Sequence, residues 1–228
     1  MANLIVIGTQ HELHLSDPIF SLEKLVELIH STKPDIICAE VSPEQLSKET
    51  TCNSKPEYPK AIIPYSIKTS IPVIPIQPST AIGLEWGNRY RQAKAAVKAN
   101  VDLKEKWDFW MTLSDSCEEV SSPTLHAKQS RAYDMWVEIT WGRLRHKLFP
   151  ELSSLEEEWN NNFYKNVMKA IQDNPESRIT VTVGIKHKYW LNNRLGEVPN
   201  VTLEHIEDYI DTKDNVRLTT ECSRTASG

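Results

Sequence analysis

The stretch Leu4-Ile5-Val6-Ile7-Gly8-Thr9-Gln10-His11 decides the predicted fold, and its pattern recurs in Ile179-Thr180-Val181-Thr182-Val183-Gly184-Ile185-Lys186-His187. Each stretch is an apolar, β-branched run that ends at a glycine and has a histidine three residues later. Such runs are typical of buried strands, and the glycine permits a tight turn or a close approach of another backbone. Because ligands bind at the carboxyl ends of strands in open α/β sheets, we expect His11 and His187 to meet in one site.

A second buried strand is predicted for Asp35–Glu40, and it ends on a carboxylate. The residues before it have helical spacing from Ser21, which suits the N-cap position, to Lys33-Pro34. Strand, helix and strand fit a right-handed βαβ unit. The side chain of Glu40 should therefore reach the same edge of the sheet as the two histidines.

The chain beyond the second strand is less regular. Val41–Pro59 is polar and is predicted to be a surface loop, with a flap over the site as the alternative. Ile71–Gln77 has the composition of a third strand, but its prolines remove hydrogen-bond donors, so we expect it to be short or at an edge. Two more strands are predicted at Arg178–Val183 and Val201–Leu203, with a helix over Lys186–Asn193 between them.

Residues from about 81 to 173 have helical periodicity. The clearest stripe is preceded by Ser153 and Glu156 at the spacing of a capping box, and Asn174-Pro175 ends it. Most of the tryptophans lie here, and they either pack the helices together or line a pocket for an apolar ligand. The sequence thus predicts an α/β fold with a mostly parallel sheet flanked by helices, and a largely helical insertion between its early and late strands.

Composition narrows the class of protein. A chain of 228 residues with 39% hydrophobic residues has the length and the apolar content of one globular domain, which we predict over residues 1–218. Residues 219–228 are small and polar and are predicted to form a loose tail. A net charge of −5 argues against nucleic acid as a partner. No apolar run is long enough to span a membrane, and the N-terminus lacks the pattern of a signal peptide. The scattered cysteines indicate reduced thiols in a cytoplasmic protein. These cysteines are Cys38, Cys52, Cys117 and Cys222. The sequence leaves open whether the protein is a homo-oligomer.

Two histidines and a carboxylate are the leading candidates for chemistry. His11, Glu40 and His187 could hold Zn²⁺, Mn²⁺, Fe²⁺ or Co²⁺ with a position left open for water. They could equally work without a metal, with histidine as general base and glutamate as its partner. The alternative without chemistry is that each histidine caps a strand end by hydrogen bonding.

Secondary candidates lie beside these residues in the sequence. Glu12 and His14 follow His11, but the two histidines are not spaced as in His-Glu-x-x-His. Lys186 and Lys188 flank His187 and could attract an anionic group, although a solvated surface is the simpler interpretation of both lysines. Walker loops, Gly-x-Ser-x-Gly and Gly-x-Gly-x-x-Gly are all missing, which disfavours nucleotide binding, common serine hydrolysis and dinucleotide chemistry.

These motifs, with Glu40 between a first and a second Gly-x-x-His, resemble those of the TraB/PrgY/Tiki superfamily, which has been linked to erythromycin esterases and ChaN-like haem-binding proteins. The resemblance implies an α/β core with a helical insertion, His11, Glu40 and His187 as metal or catalytic residues, and Gly8 and Gly184 shaping the turns. Many members also have an arginine before the last motif strand. This chain lacks it there, and Arg131 or Arg143 would have to substitute.

The resemblance, the tryptophan-rich insertion and the missing arginine leave three alternative functions open. The first is a metal-dependent hydrolase that activates water to cleave a peptide, amide or ester bond in a peptide or small-molecule substrate. The second is a protein that binds haem or another planar apolar ligand without turnover. The third is a regulatory or interaction module that keeps the fold without catalysis.

Overall fold

The structure, a computed structural model, describes residues 1–47, 55–121 and 124–210, and within these ranges the side chains of all but residues 117–121. The strands of the described residues are β1 (Ala2–Thr9), β2 (Ile36–Ala39), β3 (Val73–Pro75), β4 (Arg178–Gly184) and β5 (Val201–Glu204). They form one all-parallel sheet in the order β3-β2-β4-β1-β5. The predicted α/β fold with a parallel sheet is therefore confirmed.

The centre of the sheet is the pair of β1 and β4. These two strands are paired from Asn3 opposite Arg178 to Thr9 opposite Gly184, and nearly all of their residues are buried. The strand-helix-strand order at the start of the chain is present, but β4 lies between β1 and β2, so the first two strands are not neighbours. β3 lies at one edge of the sheet, as the prolines of its segment predict, and β5 lies at the other.

Helices connect the strands, and most of them lie between β3 and β4 as the predicted insertion. They are α1 (Leu22–Ser31), α2 (Pro43–Ser47), α3 (Ile63–Thr69), α4 (Thr80–Ala99), α5 (Val101–Ser121), α6 (Leu125–Gln129), α7 (Arg131–Val137), α8 (Arg145–Leu148), α9 (Pro150–Asp173) and α10 (Ile185–Leu195). Wider π-helical turns precede α3 at Tyr58–Ile62 and join α7 to α8 at Glu138–Leu144. None of the described helices is both long and apolar enough to cross a membrane.

Two predictions about helix ends have different outcomes. Ser21 is the N-cap of α1, and its hydroxyl accepts a hydrogen bond from the amide of Lys24 at 3.4 Å. The prediction of a capping box at Ser153 is wrong, because α9 begins earlier, at Pro150. Its N-cap residue, Phe149, makes no capping hydrogen bond with its side chain. Proline is well suited to the first turn of a helix, since its missing N–H has no partner there in any case.

The prediction of a surface loop at Val41–Pro59 is wrong for the parts of it that the structure describes. Residues 43–47 form α2, and the side chains of Glu57 and Tyr58 are buried. Cys52 and residues 48–54 around it lie outside the described residues, as do Cys222 and the predicted tail. The side chain of Cys117 is not described either, whereas Cys38 is a free, buried thiol.

The two faces of the sheet are covered by different helices. Phe163 and Val167 of α9 and Leu191 of α10 pack on one face. Leu25 and Ile29 of α1 pack on the other. A separate apolar cluster lies within the helical insertion and includes Trp107, Trp110 and Phe149.

Most of the described tryptophans therefore pack against one another and the helices. Trp86 stacks on Trp159 with ring centroids 4.6 Å apart, and Trp107 and Trp110 both contact Phe149. Of the two roles that the sequence suggested for the tryptophans, this arrangement is the packing of helices. Such aromatic pairs add stability beyond the area that they bury.

Candidate active site

The three leading candidates meet at one edge of the sheet. His11 follows β1, Glu40 follows β2, and His187 lies in the first turn of α10, directly after β4. The point where a Cβ on Gly184 would stand lies 2.9 Å from Nε2 of His11 and 3.5 Å from Oε2 of Glu40. Cδ2 of His187 is 3.4 Å from the same point. The carboxyl ends of three strands thus bring together two imidazoles and a carboxylate.

His11 is held by a second carboxylate. Its backbone has a φ of 53°, a left-handed conformation that is rare for residues other than glycine and often stores strain at functional sites. Nδ1 of His11 and Oε1 of Glu57 are 2.7 Å apart. Burial lowers the pKa of His11, but the hydrogen bond that its ring donates to Glu57 and the charges of Glu40 and Glu57 outweigh burial, so that the pKa is raised. Nε2 is the nitrogen left to face the site.

His187 is held in a similar way by an amide. Its Nδ1 lies 2.6 Å from Oδ1 of Asn160, a buried residue of α9, and its ring packs edge-on against Phe163. Because an amide oxygen only accepts, Nδ1 of His187 carries the proton in this arrangement. Nε2 of His187 is then an acceptor that faces the cleft.

Glu40 is a buried carboxylate with both oxygens engaged. Oε2 accepts a hydrogen bond from the amide of Gly184 at 2.6 Å, and Oε1 accepts one from Nζ of Lys55 at 2.7 Å. Burial raises the pKa of Glu40. The charges of Lys55, His187 and His11 have the larger, opposite effect, so that the pKa falls to about 2. The side chain is therefore ionised and paired at neutral pH.

The two motif glycines allow close approach rather than a left-handed turn, since neither has a positive φ. A Cβ on Gly8 would lie 2.7 Å from Cγ1 of Ile185, where α10 begins. The side-chain amide of Gln129 bonds both the N–H and the carbonyl of Gly8, at 3.1 and 2.7 Å. Buried Lys188 donates to the carbonyl of Gln129 and to Asp134, which ties α10 and α7 to the end of β1.

A cleft of about 370 Å³ opens at this edge of the sheet. Its lining includes His11, His187 and Gly184 together with Lys186, Trp141 and Tyr189. A second cleft of about 590 Å³ adjoins it and shares the walls formed by Trp141, Asn160, Glu156 and Tyr189. The two candidate histidines are thus accessible to a ligand from solvent, whereas Glu40 lies buried behind them.

Arg145 is the arginine that reaches this cleft, and the substitutes expected from the sequence do not. Its buried guanidinium lies 5.3 to 5.7 Å from the ring centroids of Tyr90, Trp110 and Trp141. It donates to the hydroxyl of Tyr90 at 2.6 Å and forms an ion pair with Glu156 at 3.2 Å.

The other two arginines point elsewhere. Arg131 is exposed and binds Glu207, and Arg143 is exposed and binds Glu138. Among the described residues, neither arginine lines the cleft beside His11 and His187, although Arg143 lines the adjoining one.

Two further sequence candidates lie away from the cleft. Glu12 is exposed on the turn after β1. His14 is buried, and its ring holds that turn together: Nε2 accepts from the amide of Gln10 at 2.9 Å, and Nδ1 donates to the carbonyl of Phe20 at 2.7 Å. Burial lowers the pKa of His14, which fits its neutral, structural state. Lys186 is the secondary candidate that lines the cleft among the described residues.

Sequence reasoning missed the residues that support the two histidines and Glu40. Lys55 and Glu57 belong to a polar segment without periodicity, which carries no signal for a buried position. Asn160 lies beside Trp159 on the buried face of α9. A polar residue on this largely apolar face was the signal that could have pointed to it.

A divalent metal fits these residues only in part. Histidines that bind metals usually bond their other nitrogen to a carboxylate or carbonyl group, as His11 and His187 do here. Glu40 does not fit as the third ligand, because each of its oxygens already accepts an N–H donor. Within the described ranges, no group of three or more His, Cys, Asp and Glu side chains is placed to hold a metal ion.

Comparison of the chain with protein-family models, curated proteins and solved structures yields no match. The resemblance to the TraB/PrgY/Tiki superfamily therefore stays a prediction from the sequence motifs.

Proposed function

We propose that the protein is a hydrolase that cleaves an ester, amide or peptide bond with a water molecule activated by His11. One observation carries the proposal. Nδ1 of both His11 and His187 is bound to an acceptor side chain, so that Nε2 of each ring is left to the cleft beside the buried carboxylate of Glu40.

The proposed first step is general base catalysis by His11. Nε2 of His11 accepts a proton from water while the water oxygen attacks the carbonyl carbon of the substrate. Glu57 orients the ring through Nδ1 and stabilises the imidazolium that forms, as carboxylates paired with catalytic histidines do. The negative charge of Glu40 favours the same protonated state.

The second step returns the proton. When the bond between the carbonyl carbon and the leaving oxygen or nitrogen breaks, the His11 imidazolium gives its proton to the leaving atom. Nε2 of His187 accepts a hydrogen bond from the attacking water and so fixes its position. Lys186, which lines the cleft, supplies positive charge near the oxyanion of the intermediate.

Hydrolysis of p-nitrophenyl esters and of fluorogenic peptides, with and without a chelator, tests the proposal. His11→Ala should lose roughly 10²- to 10⁴-fold in turnover, the usual contribution of a general base. His30→Ala is the matched control, because His30 is exposed on α1 and does not line the cleft. Equal turnover by His11→Ala and the wild type, or no turnover on any substrate, would contradict the proposal. A Soret band on haem titration that shifts in His187→Ala would favour the ligand-binding alternative.

A further inference from the structure

We infer that Gln129, the last residue of α6, is a positioning residue that sets the spacing between His11 and His187. Its side chain holds the turn of the first Gly-x-x-His motif, and its backbone holds the residue after His187 in the second. The inference deepens the proposed function, and its kinetic test rests on that function. Its spectroscopic test holds whether or not the protein hydrolyses a substrate.

The side chain of Gln129 replaces a neighbouring strand at the end of β1. In the described part of the chain, β5 pairs with β1 from Ala2 to Ile5, whereas β1 continues to Thr9. Beyond Ile5 the amide of Gln129 bonds Gly8: Oε1 accepts from the Gly8 N–H at 3.1 Å, and Nε2 donates to the Gly8 carbonyl at 2.7 Å. Gln129 is only 1% exposed. Loss of its amide would therefore leave two buried backbone groups without partners, which costs free energy.

The backbone carbonyl of Gln129 holds the second motif through Lys188, the residue after His187. Nζ of Lys188 donates to this carbonyl at 2.9 Å and to Oδ2 of Asp134 at 2.7 Å. The Lys188 side chain is buried, so moving it away from Asp134 would leave a buried charge unpaired, which is strongly unfavourable. Lys188 is thus fixed, and Gln129 contacts both motifs at once.

The residue before Gln129 adds a second attachment to the first motif. Nζ of Lys128 donates to Oε1 of Gln10 and to Oδ2 of Asp17, both at 2.9 Å. Gln10 directly precedes His11, whose left-handed backbone persists only where surrounding contacts fix it. Together with Gln129, Lys128 therefore attaches the turn of His11 to α6 at two points.

The two motifs also touch directly, and Gln129 keeps this contact closed. A Cβ on Gly8 would lie 2.7 Å from Cγ1 of Ile185, the first residue of α10, so that the end of β1 packs against the start of that helix. His11 and His187 line one cleft on either side of this contact. A shift of one motif by about 1 Å would misplace the water between the two rings, and such a displacement typically costs about a hundredfold in rate.

Gln129→Met tests the inference, because methionine keeps the length of the side chain and lacks its amide. On an ester that the wild type hydrolyses, turnover should fall roughly a hundredfold with little change in KM, since Gln129 does not line the cleft. The NMR signals of the Nδ1 protons of His11 and His187 should shift, because the bonds of both rings depend on the spacing of the motifs. Thr32→Val is the matched control: the buried hydroxyl of Thr32 bonds that of Thr180 in the same sheet at 2.7 Å, and Thr32 does not line the cleft either.

Two results would overturn the inference. One is unchanged ring signals in Gln129→Met, whatever its turnover. The other is an equal change of turnover and ring signals in Thr32→Val, which would show only a general loss of stability. If Gln129→Met does not fold, hydrogen exchange of the wild type decides: the Gly8 amide should exchange as slowly as the paired amides of β1, and exchange as fast as that of an exposed amide would refute the inference. The NMR and exchange measurements need no substrate, so failure of the proposed function would be seen separately.

Discussion

The carboxylate of Glu57 is bound to Nδ1 of His11 at 2.7 Å, although the two residues are 46 positions apart in the chain. Glu57 is buried, and its other oxygen has no partner among the described residues. His11 itself has a left-handed backbone conformation. Such a conformation persists only where surrounding contacts fix it, and the bond to Glu57 is one of those contacts.

Glu57→Gln is expected to lower the pKa of His11. The hydrogen bond and the negative charge of Glu57 both raise that pKa in the wild type, and an amide keeps at most the bond. The measurement is an NMR titration of the His11 ring in both proteins. Glu12→Gln is the control, because Glu12 is exposed on the same turn and should leave the titration of His11 unchanged.

The same pair predicts how stability depends on pH. A raised folded-state pKa means that the His11 contribution is fully present below the unfolded value of about 6.5 and is lost as pH rises through the folded value. The stability difference between wild type and Glu57→Gln should therefore be largest below about pH 6.5 and shrink as the pH rises above it. Urea unfolding across this range measures it, and a difference that grows with pH would contradict the assignment.

Gly184→Ala should reduce turnover by roughly a hundredfold, the typical cost of a misplaced catalytic group. The new Cβ would lie 2.9 Å from Nε2 of His11, so the ring must move away from the cleft. The matched control is Gly83→Ala, whose Cβ would lie 3.5 Å from Trp159, an ordinary contact. Turnover of the two variants on the same ester is compared, and equal activity would show that the His11 ring does not need this position.

The sequence predicts the strands and the meeting of the three site residues for a clear physical reason. Buried β-branched runs have a strong local signal, and parallel strands present their carboxyl ends at one edge. This is enough to bring His11, Glu40 and His187 together. The same reasoning fails for the strand order, because nothing local in β4 indicates that it inserts between β1 and β2.

The supporting residues could not be predicted for a different reason. Lys55 and Glu57 belong to a polar stretch of the sequence, and their own burial depends on tertiary contacts with Glu40 and His11 that no periodicity records. Arg145 lies in a run of basic residues that looks solvated in the sequence. Its burial depends on aromatic rings from α4 and α5 and from the π-helical turn before α8.

Arg145→Met should destabilise the fold by roughly 3 kcal/mol or more, in the range found when one partner of a buried ion pair is removed. The guanidinium packs among three rings and holds both Tyr90 and Glu156. Arg143→Met is the control, since the exposed pair of Arg143 with Glu138 should change the free energy of unfolding by less than about 1 kcal/mol. Urea denaturation of both variants compares them, and equal destabilisation would contradict the buried role of Arg145.

The ion pair between Glu40 and Lys55 predicts a specific loss of stability in acid. The pKa of Glu40 is about 2 in the folded protein, so its contribution is present above the unfolded value and is lost as pH falls toward 2. A shift of this size corresponds to roughly 3 kcal/mol. The double variant Glu40→Gln with Lys55→Met lacks the ion pair. Between about pH 5 and pH 2, its free energy of unfolding should fall by roughly 3 kcal/mol less than that of the wild type. Urea unfolding at several pH values measures both proteins, and curves that fall in parallel would show that Glu40 is not held ionised by Lys55.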